Sequence, residues 1–461
     1  MFRNLKSCNR GSQAVKGLLL LLLAAAPLSG MAEQSTRNVI LLIGDGMDDH
    51  QITIARNYLQ GANGRLTMDN LPVRSAVQVL TIDEQQPERP VYVADSANSA
   101  TAIATGVTTS RGRIATSAKD DRDLQTIVEL AAANQLATGI VTTASVTDAT
   151  PASFLAHVSN RGCQSPDTMI AQGPYAGFFK SCERDIRANG GPGSIAEQIA
   201  GGNVNIVLGG GGQYFAKSNQ GDTHPLAEAA ANGFQIIDSP SALQRPFNQN
   251  KVLGLFAPKD LPVRLHSSNQ QPAAFLTVAE GETAEPQPVT CVVNPSSTQA
   301  PSLKSMTEAA LGHLRARSDK GFFLMVESAS IDKESHERRP CGSIGEVQQL
   351  EEALQASLEF AAKHPGTLIL VTADHGQAAQ LVPYPSMFEG FPGAHSIGRL
   401  AAIETPEGSL LGVNYATNDA LIEEHSGTQV PLLMNQQPGN ALNGVITQPQ
   451  VFQLILRHLL L

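Results

Sequence analysis

The chain reads as an α/β fold, with a large, mostly parallel central sheet flanked by helices on both faces. Three observations predict it. Short apolar runs recur at Asn38–Ile43, Ala137–Thr143, Gly321–Val326 and Thr367–Val371, the pattern of strands buried on both faces. Stretches with helical periodicity or helix caps separate them. Strand exits repeatedly carry acidic or imidazole side chains, at the sheet edge where open α/β folds place ligands.

In chain order, Asn38–Ile43 ends in Gly44-Asp45-Gly46-Met47 and a helix follows over Gln51–Leu59. Val91–Val93 reads as strand, and the Ala- and Thr-rich run that ends at Gly106 reads as a short helix closed by a C-terminal glycine. Ser96 therefore falls at a strand-to-helix corner, where free amides and the helix dipole favour an anion. Leu124–Ala133 is predicted helical, and the strand Ala137–Thr143 leads to Asp148-Ala149-Thr150-Pro151. Pro151 opens a helix that is predicted to run past Phe154 and His157 towards Arg161. Ser194 and Glu197 form a capping box before Ile195–Ala200. Val204–Leu208 is a strand, and Gly209–Gly212 is a strand-exit turn that lacks the Lys-Ser or Lys-Thr of a P-loop. Residues 238–302, rich in Pro, Gln and Ser, are expected to be an irregular excursion within one domain spanning 33–461. Beyond them come a helix at Leu303–Arg317, the strand ending in Glu327, and Asp332 and His336 one helical turn apart. The helix Ile344–Lys363, a strand leading to Asp374-His375, His425, a strand at Val430–Met434 and a terminal helix at Val451–Leu461 complete the chain.

The 461 residues are 42% hydrophobic and 16% charged, enough for a large core. A net charge of −10 argues against a nucleic-acid or anionic-membrane partner. Residues 1–32 have the pattern of an export leader: Arg3, Lys6, Arg10 and Lys16, an apolar run over Leu18–Ala26 too short to span a bilayer, and a small-x-small end at Gly30–Ala32. Its removal would leave a periplasmic protein with no membrane anchor and a net charge of −14, four basic residues having gone from a chain at −10. Four cysteines remain, Cys163, Cys182, Cys291 and Cys341, an even number suited to two disulfides with three possible connectivities. The simplest joins Cys163 to Cys182 and Cys291 to Cys341. A four-cysteine zinc site fits poorly because no Cys-x-x-Cys pair is present.

Taken singly, each candidate has a plain explanation. Asp45, Ser96, Asp148 and Thr150 suit caps or turns, and Arg161 suits a solvated surface. Jointly, their repetition at one sheet edge points to a ligand site. His50, His157, His224, His266, His313, His364, His395 and His458 lack acidic or imidazole partners at strand exits and receive no role.

The pieces Ile43–Met47, Asp95-Ser96-Ala97, Asp148–Pro151, Ala156–Val158, Arg161, Glu327, Ile331-Asp332-Lys333, His336, Thr372–His375 and His425-Ser426-Gly427 resemble, in order and spacing, the bacterial periplasmic alkaline phosphatases. The resemblance spans the mature chain and includes its four cysteines. It implies a phosphomonoesterase that releases inorganic phosphate from phosphate monoesters through a phosphoserine at Ser96. It also implies a first zinc on Asp332, His336 and His425, and a second on Asp45, Asp374 and His375, completed by Ser96. A magnesium would lie on Asp45, Thr150 and Glu327, with Asp148 beside or behind it. Such donor sets suit those ions: nitrogen and oxygen for zinc, oxygen alone for magnesium. Two zincs about 4 Å apart can clamp the attacking and leaving oxygens. Arg161 would grip two phosphoryl oxygens, and Lys333 would add positive charge nearby. A homodimer is implied as well.

Ser335 departs from the acidic residue familiar in that family, which is expected to leave Lys333 less compensated. A sulfatase is excluded by the absence of Cys-x-Pro-x-Arg. A phosphodiesterase of the same superfamily and a non-catalytic envelope protein that binds metal or phosphate are the alternatives.

Overall fold

The core strands form because β-branched and leucine side chains occupy both faces of each run and every one is withdrawn from water. Val39 through Ile43, Leu324 to Val326 and Leu368 to Leu370 are wholly buried. A computed structural model describes residues 36–461 apart from 173–179, 219–223, 280, 281, 285, 389–396 and 439–443. The leader, Cys8 and His395 lie outside the described residues.

Ten strands make the main sheet: β1 Arg37–Gly44, β2 Val73–Gln78, β3 Ala137–Ser145, β4 Ile206–Gly210, β5 Phe234–Ile237, β6 Lys251–Leu255, β7 Gly321–Ser328, β8 Thr367–Ala373, β9 Val430–Met434 and β10 Val445–Thr447. Their spatial order is β10-β2-β9-β8-β1-β7-β3-β4-β6-β5. Only β9 runs antiparallel to its neighbours. The expected architecture is therefore present. Register sets Ile43 on β1 level with Glu327 on β7, and Glu327 level with Thr142 on β3. The exits of the central strands thus meet at one edge.

The structure corrects several expectations. The segment 238–302 is not merely an excursion, since its strand β6 is inserted between β4 and β5. Its alternating pattern is short, and burial on both faces came from neighbours distant in sequence. The helix predicted to reach Arg161 stops at Leu155. There Ala156 turns extended, and Val158 pairs with Ile114 instead. Arg161 sits in the following turn, its amide donating to Gly112 O at 2.7 Å. The strand before Ser96 shrinks to Pro90–Val91, and Tyr92 is exposed. A four-stranded antiparallel sheet, Ala274–Phe275, Arg399–Glu404, Leu410–Tyr415 and Gln380–Val382, was not foreseen. The sulfurs of Cys163 and Cys182 lie at bonding distance, as do those of Cys291 and Cys341.

Candidate active site and metal centre

Ser96 is the first residue of the helix Ser96–Thr105. Asp95 caps that helix, its carboxylate accepting from Asn98 N at 3.0 Å, so the cap and the candidate nucleophile are neighbouring residues with separate tasks. Gly106 closes the helix at φ 75°, a left-handed conformation that suits glycine. The Ser96 hydroxyl is 2% exposed, 3.2 Å from His375 Nε2 and 3.5 Å from Asp45 Oδ1.

Two metal-ligand clusters adjoin it. In the first, Asp332 Oδ2 lies 3.2 Å from His336 Nε2, Asp332 Oδ1 lies 3.4 Å from His425 Nε2, and the two Nε2 atoms are 3.0 Å apart. In the second, Asp45 and His375 close with Asp332 into a fully buried group. Asp45 Oδ1 is 3.4 Å from His375 Nε2. Asp374 directs Oδ1 to Gly46 N at 3.1 Å, while its buried Oδ2 has no hydrogen-bond partner and lies 3.4 Å from His375 Nε2. Gly46 is at φ 68°, and a Cβ there would press against the Asp332 backbone at 3.2 Å.

All three imidazoles are aimed by the backbone. The Nδ1 of His336 meets Glu423 O, that of His425 meets Ala94 O at 2.9 Å, and that of His375 meets Gly376 O at 3.3 Å. Each Nε2 is thereby left for the site, the arrangement that orients histidine towards a metal.

A third group surrounds Glu327, which accepts from the Thr142 hydroxyl. Thr150 Oγ1 is buried beside the Glu327 carboxyl. Asp148 is spoken for: Oδ1 accepts from Arg161 at 3.2 Å and Ala149 N at 2.8 Å, and Oδ2 from Lys333 Nζ at 2.5 Å. Arg161 also lies 3.5 Å from Asp95, and Lys333 lies 2.8 Å from Asp260.

Burial dominates the electrostatics of the site. Burial, with Asp374 and Asp332 nearby, holds the Asp45 carboxyl well above its ordinary range. Burial pushes Asp374 up to about 6 and Glu327 up to about 8. Burial, reinforced by His425, pulls His375 down to about 3. Asp148 is held low against its burial by Lys333 and Arg161. Packing several carboxylates out of water without cations is costly. The donor sets and the unpaired Asp374 Oδ2 fit bound cations: nitrogen and oxygen donors at the first two groups suit zinc, and oxygen donors around Glu327 suit magnesium.

Every predicted site residue thus falls in one contiguous region, but Asp148 stands as the partner of Arg161 and Lys333. The expectation for Ser335 is overturned. Its buried hydroxyl bonds Gln51, Ile331 O and Ser343, while Lys333 is compensated by Asp148 and Asp260. Sequence reasoning missed Thr142, Asp260 and Gln377, whose Nε2 donates to Asp332 Oδ1 at 2.6 Å. Gln377, two residues past His375, was within reach of a motif-based reading; Asp260 carried no signal. Several remaining histidines are engaged elsewhere: His157 with Ala115 O and Glu129, His313 with Asn250 O, and His458 with Gly366 O.

A buried serine at a helix N-terminus, ringed by carboxylate and imidazole donors on an α/β sheet edge, defines a hydrolase built for metal-assisted displacement. Residues 36–441 match the alkaline phosphatase family, and the chain belongs to it. The chain is 40% identical over 456 residues to the streptomycin-6-phosphate phosphatase of Streptomyces griseus, covering 95% of each. It is 36% identical over 445 residues to the alkaline phosphatase of Escherichia coli K12, covering 93% of this chain and 87% of that one. In fold it is similar to the alkaline phosphatase of the Antarctic bacterium TAB5, with a TM-score of 0.67 and 23% identity over 92% of this chain and 98% of the other. It is accordingly a phosphomonoesterase.

Proposed function

We propose that this enzyme hydrolyses phosphate monoesters through a phosphoserine at Ser96, with two zinc ions, one magnesium ion and Arg161. The observation that carries the reading is the Ser96 hydroxyl, 3.2 Å from His375 Nε2 at a helix N-terminus and beside both donor clusters. Bound in those clusters, the metals would supply Lewis acidity for the attacking and leaving oxygens and for the hydrolytic water. Asp332, His336 and His425 would hold the first zinc; Asp45, Asp374 and His375 the second; Asp45, Thr150 and Glu327 the magnesium.

The protein's own residues then act as follows. The Ser96 oxygen, favoured as an alkoxide by the helix amides, attacks phosphorus in line as the bond to the leaving alcohol oxygen breaks. The leaving oxygen takes a proton from water, which leaves hydroxide. Hydroxide then attacks the phosphoserine phosphorus as the bond to Ser96 Oγ breaks, hydrogen phosphate departs and Ser96 Oγ is regenerated as the alkoxide. Arg161, steered by Asp95 and Asp148, offers a fork to two phosphoryl oxygens. Lys333, held between Asp148 and Asp260, adds charge next to that fork.

We further infer an exported, periplasmic homodimer with disulfides Cys163–Cys182 and Cys291–Cys341, residues 1–32 being the leader and 33–461 one catalytic domain. Among the described residues no helix is long and apolar enough to cross a membrane. The test is a rate comparison at equal zinc on an aryl phosphate, a phosphorylated aminoglycoside and a phosphodiester. Monoester turnover that dominates and vanishes in Ser96→Ala supports the reading. Diester turnover that dominates would replace it with a phosphodiesterase, and binding of metal or phosphate without turnover would make the protein non-catalytic.

A further inference from the structure

The first donor cluster joins two distant segments, the helix Ser330–His336 and the loop that carries His425. Two residues past His336 lies Arg338, a guanidinium only 4% exposed; two residues before His425 lies Glu423, wholly buried. Arg338 Nε donates to Glu423 Oε2 at 2.5 Å. Its Nη1 donates to Leu421 O at 3.2 Å, and its Nη2 to Ala420 O at 2.9 Å and Asn418 Oδ1 at 3.3 Å. The other Glu423 oxygen accepts from Thr417 N at 2.7 Å, from Asn418 N at 3.2 Å and from the Thr417 hydroxyl.

The main chain of the same Glu423 clasps His336. Its amide donates to His336 O at 3.0 Å, and its carbonyl accepts from His336 Nδ1. Arg338 adopts φ 56°, a left-handed conformation uncommon for a residue with a side chain. A buried ion pair with several further hydrogen bonds on each partner fixes geometry more surely than it adds stability. Here the fixed object is the peptide whose carbonyl sets the His336 tautomer and whose loop delivers His425.

We propose that Arg338, acting through Glu423, is a positioning residue for His336 and His425, holding both Nε2 atoms at the spacing the first zinc requires. The inference rests on the zinc reading above. Substituting Arg338 loosens the loop, deprives His336 Nδ1 of its acceptor and weakens that zinc most. The second zinc, on Asp45, Asp374 and His375, takes no contact from Arg338 and is reached only indirectly, through the His425 ring stacked on His375 at 3.7 Å between centroids.

The test is chelator-competition titration of zinc into metal-stripped full-length enzyme, wild type against Arg338→Lys, alongside melting of the stripped proteins and steady-state kinetics. Wild type is expected to show two tight equivalents. In Arg338→Lys one of them weakens about tenfold to hundredfold, the effect typical of losing an outer partner of a metal ligand, and the other weakens far less. Excess zinc restores kcat with KM for the monoester unaltered. Equal weakening of both equivalents, or two unaltered equivalents, overturns the proposal. If Arg338→Lys does not fold, Thr417→Val removes one hydroxyl from Glu423 and must show the same selective loss on a smaller scale. Wild type that takes up no zinc would instead refute the metal reading itself, a result separable from selective failure in the variants.

Discussion

Stripping the metals should make the fold sensitive to alkaline pH. Glu327, wholly buried and without a neutralising cation, takes up a proton in the folded chain with a pKa raised from 4.5 to about 8. A raised carboxyl pKa penalises the folded state progressively as pH climbs from the unfolded value to the folded one, and the penalty is constant above that. Between pH 6.5 and 8 the unfolded carboxylate is already ionised, so the penalty grows by about 2 kcal/mol, at about 1.4 kcal/mol for each tenfold change in proton affinity. His375 opposes this window only weakly: its folded value of about 3 leaves it neutral throughout, while its ordinary 6.5 leaves the unfolded imidazole half protonated at pH 6.5, an opposing gain of about 0.4 kcal/mol by pH 8. His336 and His425, raised chiefly by Asp332 against their burial, lose stabilisation in the same direction as pH rises. For a chain of this length an unfolding entropy of about 0.9 kcal/mol/K converts 2 kcal/mol into about 2 °C. Bound metals require these ligands deprotonated, so loaded enzyme is protected at the same pH. The assay is thermal melting of chelated and of zinc- and magnesium-loaded protein at pH 6.5 and 8. The gap between them should widen by at least about 2 °C at the higher pH. Parallel melting curves at both pH values would refute the reasoning.

Other perturbations should separate the site's parts. Ser96→Ala should lower kcat by about a thousandfold or more, with zinc content and melting temperature unchanged. Arg161→Lys keeps the charge but loses the fork, so kcat/KM should fall about tenfold to hundredfold, the cost of one charge-assisted hydrogen bond. Thr142→Val deletes the hydroxyl that donates to Glu327; the magnesium concentration for half-activation should rise about tenfold or more while zinc affinity stays put, as measured by metal titration.

Part of this site was legible because several of its residues follow apolar runs that read as buried strands, while His425 and the grouping into metal sets were implied by the family resemblance. Asp45, Glu327, Asp374 and His375 are read from their place at the ends of such runs, and the i, i+4 pair Asp332 and His336 from helical geometry. Tertiary pairing overrode local pattern elsewhere: Val158 left the helical path to meet Ile114, and the strand Lys251–Leu255 was claimed by the main sheet from a segment with turn-like composition. Partners that act through side-chain contact across large sequence distances, such as Asp260 on Lys333 or Arg338 on Glu423, have no local signature at all. The compensation of Lys333 was missed for the same reason, since Asp148 and Asp260 reach it from distant parts of the chain.

The most direct measurement is acid quenching of metal-loaded enzyme during turnover of a labelled phosphate monoester, followed by peptide mapping. The account predicts one phosphoryl group on Ser96, absent from Ser96→Ala and lost on a chase with unlabelled substrate. Undiminished turnover with no label on Ser96 under any quench condition would contradict it.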